Sequence, residues 1–181
     1  GYMQTVGMGL RGHLMEVGTD GKIRPDLAEG YDVSDDGKTW VFKIRKGVEF
    51  HNGKTLDSGD IVASINHHRG KDSKSAAKKL LDPIVELKAD GKNAVVIKLK
   101  TANADFPFIM SDYHIAIMPA KGDGVDWQSG VGTGAFALES YEPGVRTRMK
   151  RNPNYWKPGA GNFDSAEAIV IGDVAARTNA L

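Results

Sequence analysis

Asp35-Asp36-Gly37-Lys38 constrains this chain more tightly than any other four residues. It divides Gly30-Tyr31-Asp32-Val33 from Thr39-Trp40-Val41-Phe42-Lys43-Ile44, and both runs set apolar side chains at alternate positions among β-branched and aromatic residues. Gly37 supplies the positive φ that a short hairpin turn demands. A second corner follows at His51-Asn52-Gly53, and Asp57 then precedes Asp60-Ile61-Val62-Ala63-Ser64 as an N-cap with acidic support in the first turn. Ile23 to Ser64 therefore predicts strand, turn, strand, turn and capped helix, the start of an α+β fold. Trp40 and Phe42 share parity, hence one face, and are expected in the core.

The rest of the chain predicts further elements around this unit. Met3, Val6, Leu10, Leu14 and Val17 recur at steps of three and four, which predicts a helix over residues 3–17, weakened by Gly7, Gly9 and Gly12. After the helix from Asp57 to His68 comes a polar loop at Lys71 to Ser75. A short helix over Ala76 to Leu81 is then stopped by Pro83. Pro83 to Ala89 and Ala94 to Lys100 form a second hairpin around Asp90-Gly91-Lys92-Asn93. A short helix follows Asp105, and a strand covers Ile115 to Met118. Residues 122–134 hold five glycines and read as a crossing loop. Ala135 to Tyr141 and Arg146 to Lys150 make a third hairpin, Ile169 to Ile171 a buried strand, and Asp173 caps a last helix.

Composition removes several classes of function. Among 181 residues, 24 Lys and Arg balance 23 Asp and Glu, so no global field selects nucleic acid or an anionic membrane. The nine basic against four acidic residues over 69–100 read as a solvated face. Absence of cysteine excludes disulfides and thiolate zinc sites. No apolar run approaches the ~20 residues of a membrane span. His67 and His68 are adjacent, so on a helix they point about 100° apart. Neither has a carboxylate or imidazole four residues away within the helix, and no metal site is expected. Asp57 and Asp60 are explained by capping. Gly130, Gly132 and Gly134 lack the helix and Lys-Ser/Thr of a phosphate loop. No cofactor is expected.

Two ordered blocks carry a family resemblance. Pro25, Leu27-Ala28-Glu29, Val33-Ser34-Asp35-Asp36-Gly37, Trp40, Phe42, Arg45, Gly47-Val48, Phe50-His51-Asn52-Gly53, Asp60-Ile61-Val62 and Ser64 form the first. Gly132-Thr133-Gly134-Ala135-Phe136, Glu142-Pro143-Gly144 and Arg151-Asn152-Pro153-Asn154-Tyr155-Trp156 form the second. Together they resemble the family 5 extracellular solute-binding proteins of ABC importers, which include oligopeptide, dipeptide and nickel binders. Tyr31 stands where that pattern usually has Trp, and Ala76-Ala77 where peptide binders often have an aromatic.

The resemblance implies a mixed α/β, periplasmic-binding-protein-like type II fold, represented by an N-terminal lobe fragment with a small inserted subdomain. Residues 1–16 and 126–181 then belong to one lobe, residues 17–125 form the inserted subdomain, and the second lobe lies outside this stretch. It further implies a binding protein rather than an enzyme, periplasmic or extracellular and lipid-tethered in some organisms. Such a protein captures a peptide-like or other small solute and delivers it to ABC permease subunits. Carried over by position, Ser73, Lys74, Ser75, Asp112, Tyr113 and His114 lie nearest the ligand. The alternatives are a small hydrolase using His51 or His114 with Asp112, or a sensor module on the same scaffold. A single lobe leaves a ligand half solvated, so this stretch alone is expected to bind no solute tightly.

Overall fold

The computed structural model describes residues 2–180 and begins with a helix, α1 (Tyr2–Leu10), shorter than the periodicity implies. Val6 and Leu10 are buried on it, but Leu14 lies beyond its end and β1 (Met15–Val17) follows. Two sets of tertiary hydrogen bonds draw the chain out of the helix. The Leu10 carbonyl accepts the Gly134 N–H, while His13 and Leu14 carbonyls accept the N–H groups of Leu27 and Ala28. Met3 has no described side chain. β1 pairs antiparallel with β2 (Ile23–Pro25).

The first predicted hairpin is β3 (Ala28–Val33) and β4 (Thr39–Ile44), joined through Gly37 at φ 66°. Trp40, Phe42 and Ile44 point into the core and Val41 and Lys43 away from it, as their parity requires. α2 (Ser58–His67) starts on a complete capping box. The Asp57 carboxylate accepts the N–H groups of Gly59 and Asp60, and the Asp60 carboxylate accepts that of Asp57. Asp57→Ala is expected to destabilise the protein by about 1 kcal/mol, the usual worth of such a cap. Urea unfolding of the two forms measures it, and an unchanged midpoint would show that the box contributes nothing.

α3 (Lys78–Leu81) precedes the second hairpin, β5 (Ile84–Ala89) and β6 (Ala94–Leu99). These complete a four-stranded antiparallel sheet in the order β3-β4-β6-β5. α4 (Phe106–Ile109) follows. Ile115 to Met118 is buried, but it is not a strand. Its backbone is satisfied singly: Ile117 N–H donates to the Gly12 carbonyl, and Ser64 Oγ both accepts Met118 N–H and donates to its carbonyl. Side chains of α2 thus replace a ladder, which an apolar run cannot reveal.

Within the glycine-rich crossing lies a short ribbon, β7 (Ala120–Lys121) with β8 (Gly124–Val125). The third hairpin is β9 (Phe136–Glu142) with β10 (Arg146–Arg151), and β11 (Ser165–Ile169) joins β10 to give the order β11-β10-β9. The buried strand expected at Ile169 to Ile171 is therefore displaced toward the N-terminus, and Ile169 is 59% exposed because β11 is an edge strand. α5 (Val174–Asn179) is capped by Asp173, whose carboxylate accepts the Ala176 N–H.

Two apolar clusters result. The larger joins the four-stranded sheet, α2, α3 and α4 around Phe42, Phe50, Phe106, Ile61, Ile65 and Met110. A smaller one sets Val6 and Leu10 of α1 against Met149, Phe136 and Leu138 of the three-stranded sheet. No helix among the described residues is long and apolar enough to cross a membrane.

A cleft walled by imidazole and aromatic rings

The corner at His51 and the glycine-rich crossing at Gly132 to Gly134 are locked to each other by the His51 ring. Its Nδ1 accepts the Gly132 N–H at 3.2 Å and its Nε2 lies 3.0 Å from the Gly134 carbonyl, so the proton sits on Nε2. Asn152 Nδ2 donates to the same carbonyl, bringing the Arg151 to Trp156 block onto the crossing. Burial holds the His51 ring below its ordinary pKa. Both ring nitrogens are engaged with backbone, so His51 is scaffold and no general base.

This crossing sets α1 and residues 127–130 beside the C-terminal end of α2 and the segment 112–118. Between them opens a cleft of about 530 Å³, lined among others by Leu10, Arg11, His67, His68, Tyr113, His114, Met118, Trp127 and Tyr141. Its volume falls within the range of small-ligand sites. Tyr113, Trp127 and Tyr141 are each about half exposed there.

The six residues expected near a ligand divide by role. Tyr113 and His114 line the cleft, with ring centroids 3.8 Å apart. Asp112 stands behind them: its Oδ1 accepts the His114 N–H and meets His114 Nδ1 at 2.7 Å, fixing the ring. Ser75 Oγ contacts His68 Nδ1 at 2.7 Å, and Ser73 Oγ donates to the His68 carbonyl, so both serines staple the loop to the end of α2. Lys74 is exposed and does not line the cleft.

Arg11, His67 and His68 are basic lining groups that the sequence did not assign to the site. No group of three potential metal ligands converges among the described residues. Their rings stand edge to face at 5.1 Å. Burial, with the neighbouring His67 and His114, pulls His68 down to about 4, so it is neutral at physiological pH. Arg11 follows α1 directly and donates from Nη2 to the Trp127 carbonyl. Burial lowers its pKa against the opposing field of Asp126, and the guanidinium remains a cation.

A second buried ionisable group lies outside the cleft. Asp26 accepts the His13 N–H at 2.9 Å, yet burial raises its pKa to about 6. The native value exceeds the unfolded one, near 4, so this group favours the fold at low pH and that contribution is lost as pH rises through 6. His68 has the opposite sign, since its depressed native pKa costs stability as pH falls toward 4. The wild-type profile therefore mixes the two. The stability difference between Asp26→Asn and wild type is expected to move by on the order of 2 kcal/mol between pH 4 and pH 7, relatively favouring the variant at neutral pH. Parallel urea titrations at several pH values test it; a constant difference would show that Asp26 titrates normally.

A family model for bacterial extracellular solute-binding proteins, family 5, matches residues 22–181. Di/tripeptide-binding protein 1 of Pseudomonas aeruginosa is 29% identical, the match covering 88% of this chain and 35% of that protein. Glutathione-binding protein GsiB of Escherichia coli K12 is 31% identical, covering 80% of this chain and 29% of its own length. The chain thus spans about a third of the length of these curated relatives. Among solved structures, the binding protein AgaA of A. tumefaciens R10, in complex with agropinic acid, superposes with a TM-score of 0.93 at 28% identity. That match covers 99% of this chain and 37% of AgaA. NikA from Brucella suis, in complex with Fe(III)-EDTA, gives 0.84 at 25% identity, covering 98% and 36%. The mixed α/β architecture is that of the type II periplasmic binding proteins, and the chain belongs to the family 5 bacterial extracellular solute-binding proteins.

Proposed function

We propose that this chain supplies one wall of the solute site of an ABC-importer binding protein, periplasmic or extracellular and lipid-tethered in some organisms. That protein captures a small solute, peptide-like or other, and hands it to the permease subunits. The observation that carries the reading is the cleft itself: a ligand-sized hollow lined by imidazoles and by aromatic rings left half exposed, in a chain of this family. Residues 1–16 and 126–181 act as part of one lobe and residues 17–125 as the inserted subdomain; Val6, Leu10 and Met149 form an apolar cluster of their own, while Leu14 and Met15 join that of the four-stranded sheet. The opposing wall comes from elsewhere in the intact protein, and closure of the two encloses the solute. Tyr113 and His114 touch it, Asp112 holds the His114 ring, Ser75 meets that of His68, and Ser73 holds the backbone at the end of α2, with Lys74 outside the lining.

Native mass spectrometry of the intact protein from its own host tests this. One small solute per molecule, released on unfolding and chemically unchanged, is expected. Turnover of simple esters or peptides that disappears in His114→Ala would instead establish the hydrolase.

A further inference from the structure

We propose that Asp26 is a proton-controlled clamp on residues 12–15, the strap behind the cleft wall, and that it holds this wall more firmly when uncharged. The strap runs between two segments. On one side the Gly12 carbonyl accepts the Ile117 N–H, Met15 N–H donates to the Met110 carbonyl, and the His13 ring meets the Tyr113 backbone. On the other, the His13 and Leu14 carbonyls accept the N–H groups of Leu27 and Ala28, and His13 N–H donates to the Asp26 carboxylate. Segment 110–117 carries Tyr113 and His114, so Asp26 reaches the lining of the cleft through the strap alone.

The surroundings of Asp26 suit a neutral acid better than an anion. The residue is 6% exposed, and among the described residues its carboxylate joins no ion pair. Both cations that face it are engaged elsewhere. Arg45 lays its guanidinium over the Trp156 ring at 4.4 Å and gives Nε to the Asp26 backbone carbonyl, not to the carboxylate. Lys157 pairs with Glu16 at 2.5 Å. Glu16 itself adds a second negative charge beside Asp26. His13 and Tyr155 also face the site, and burial lowers the pKa of the imidazole and raises that of the phenol, so both stay neutral. A buried carboxylate without a paired cation is costly to ionise, which accords with its pKa near 6. Opening the strap returns Asp26 to water, so ionisation favours the open form. The clamp is thus complete below about pH 4 and is lost as pH rises through about 6. Weaker solute capture at neutral pH follows if the cleft is the solute site; the clamp itself does not rest on that reading.

Hydrogen–deuterium exchange of the intact protein without solute, in wild type and Asp26→Asn, tests the clamp. Asparagine keeps an acceptor for the His13 N–H and carries no charge at any pH. The wild-type exchange rate divided by that of the variant is expected to rise roughly tenfold from pH 5 to pH 7.5 at residues 12–15 and 110–117, the factor that linkage gives for closed and open pKa values near 6 and 4. It should stay constant at residues 141–147, the turn end of the β9–β10 hairpin, which frays without exposing Asp26. A ratio that is the same at both pH values throughout would overturn the proposal. A rise shared equally by residues 141–147 would also overturn it, since Asp26 would then act on the whole fold and not on this wall. Should Asp26→Asn fail to fold, Asp26→Ser, which also keeps an uncharged acceptor, supplies the reference.

Discussion

Trp40→Ala is expected to lower stability by roughly 3–5 kcal/mol, the range for deleting a large buried aromatic. Trp40 is 4% exposed near the start of β4, between Val33 of β3 and Ile97 of β6. Its ring meets Tyr31 at 5.2 Å, Phe106 at 5.8 Å and Phe42 at 6.4 Å, so alanine opens a cavity at the junction of sheet and α4. A rigid sheet cannot collapse to fill it. The indole Nε1, however, is buried without a partner. Trp40→Phe removes that orphan donor while keeping most of the ring, and should cost much less than the alanine change. Chemical unfolding of both variants decides the matter. Equal losses would mean that ring volume is not what Trp40 contributes.

Gly132→Ala is expected to be as damaging, at or above the ~3 kcal/mol upper end for overpacking. A Cβ at position 132 would lie 2.1 Å from the Leu10 carbonyl oxygen and 2.9 Å from its carbon. Backbone cannot rotate out of the way as a side chain can. The crossing strand and the end of α1 would have to part, breaking the Gly134 N–H bond to Leu10 and the His51 clamp. Because Arg11 directly follows Leu10, the cleft should open along with the fold. Gly7→Ala is the matched control, since a Cβ there meets nothing within 4 Å and the residue is helical. A Gly132→Ala protein as stable as Gly7→Ala would refute the close approach.

The hairpins were legible in the sequence because their information is local. Gly37 and alternation in the flanking strands specify a turn and a face without reference to anything distant, and Asp57 with Asp60 likewise makes a complete cap within four residues. Failures came where distant groups decide. Val6, Leu10, Leu14 and Val17 keep helical spacing, but Leu27, Ala28 and Gly134 capture the backbone after Leu10. Ile115 to Met118 has a strand's composition, yet Ser64 satisfies it one group at a time.

The site was legible in the same partial way. Tyr113 and His114 came from family resemblance, not from their own chemistry, and Ser75 was placed near the cleft without any indication of what it holds. The place of His68 in the cleft depends on Ser75 meeting its Nδ1 and on Arg11 arriving from the end of a helix more than fifty residues away. Metal-ligand spacing carries no information about that environment. Arg11, alone among glycines, carries no motif at all.

Hydrogen–deuterium exchange of the intact protein, with and without the stabilising fraction of its host's small-molecule extract, tests the central claim most directly. The account predicts slower exchange at residues 65–69 and 111–118 and around Arg11 when solute is present, with β5 and β11, which do not line the cleft, unchanged. Protection confined to other regions, leaving these three segments as they were, would contradict it.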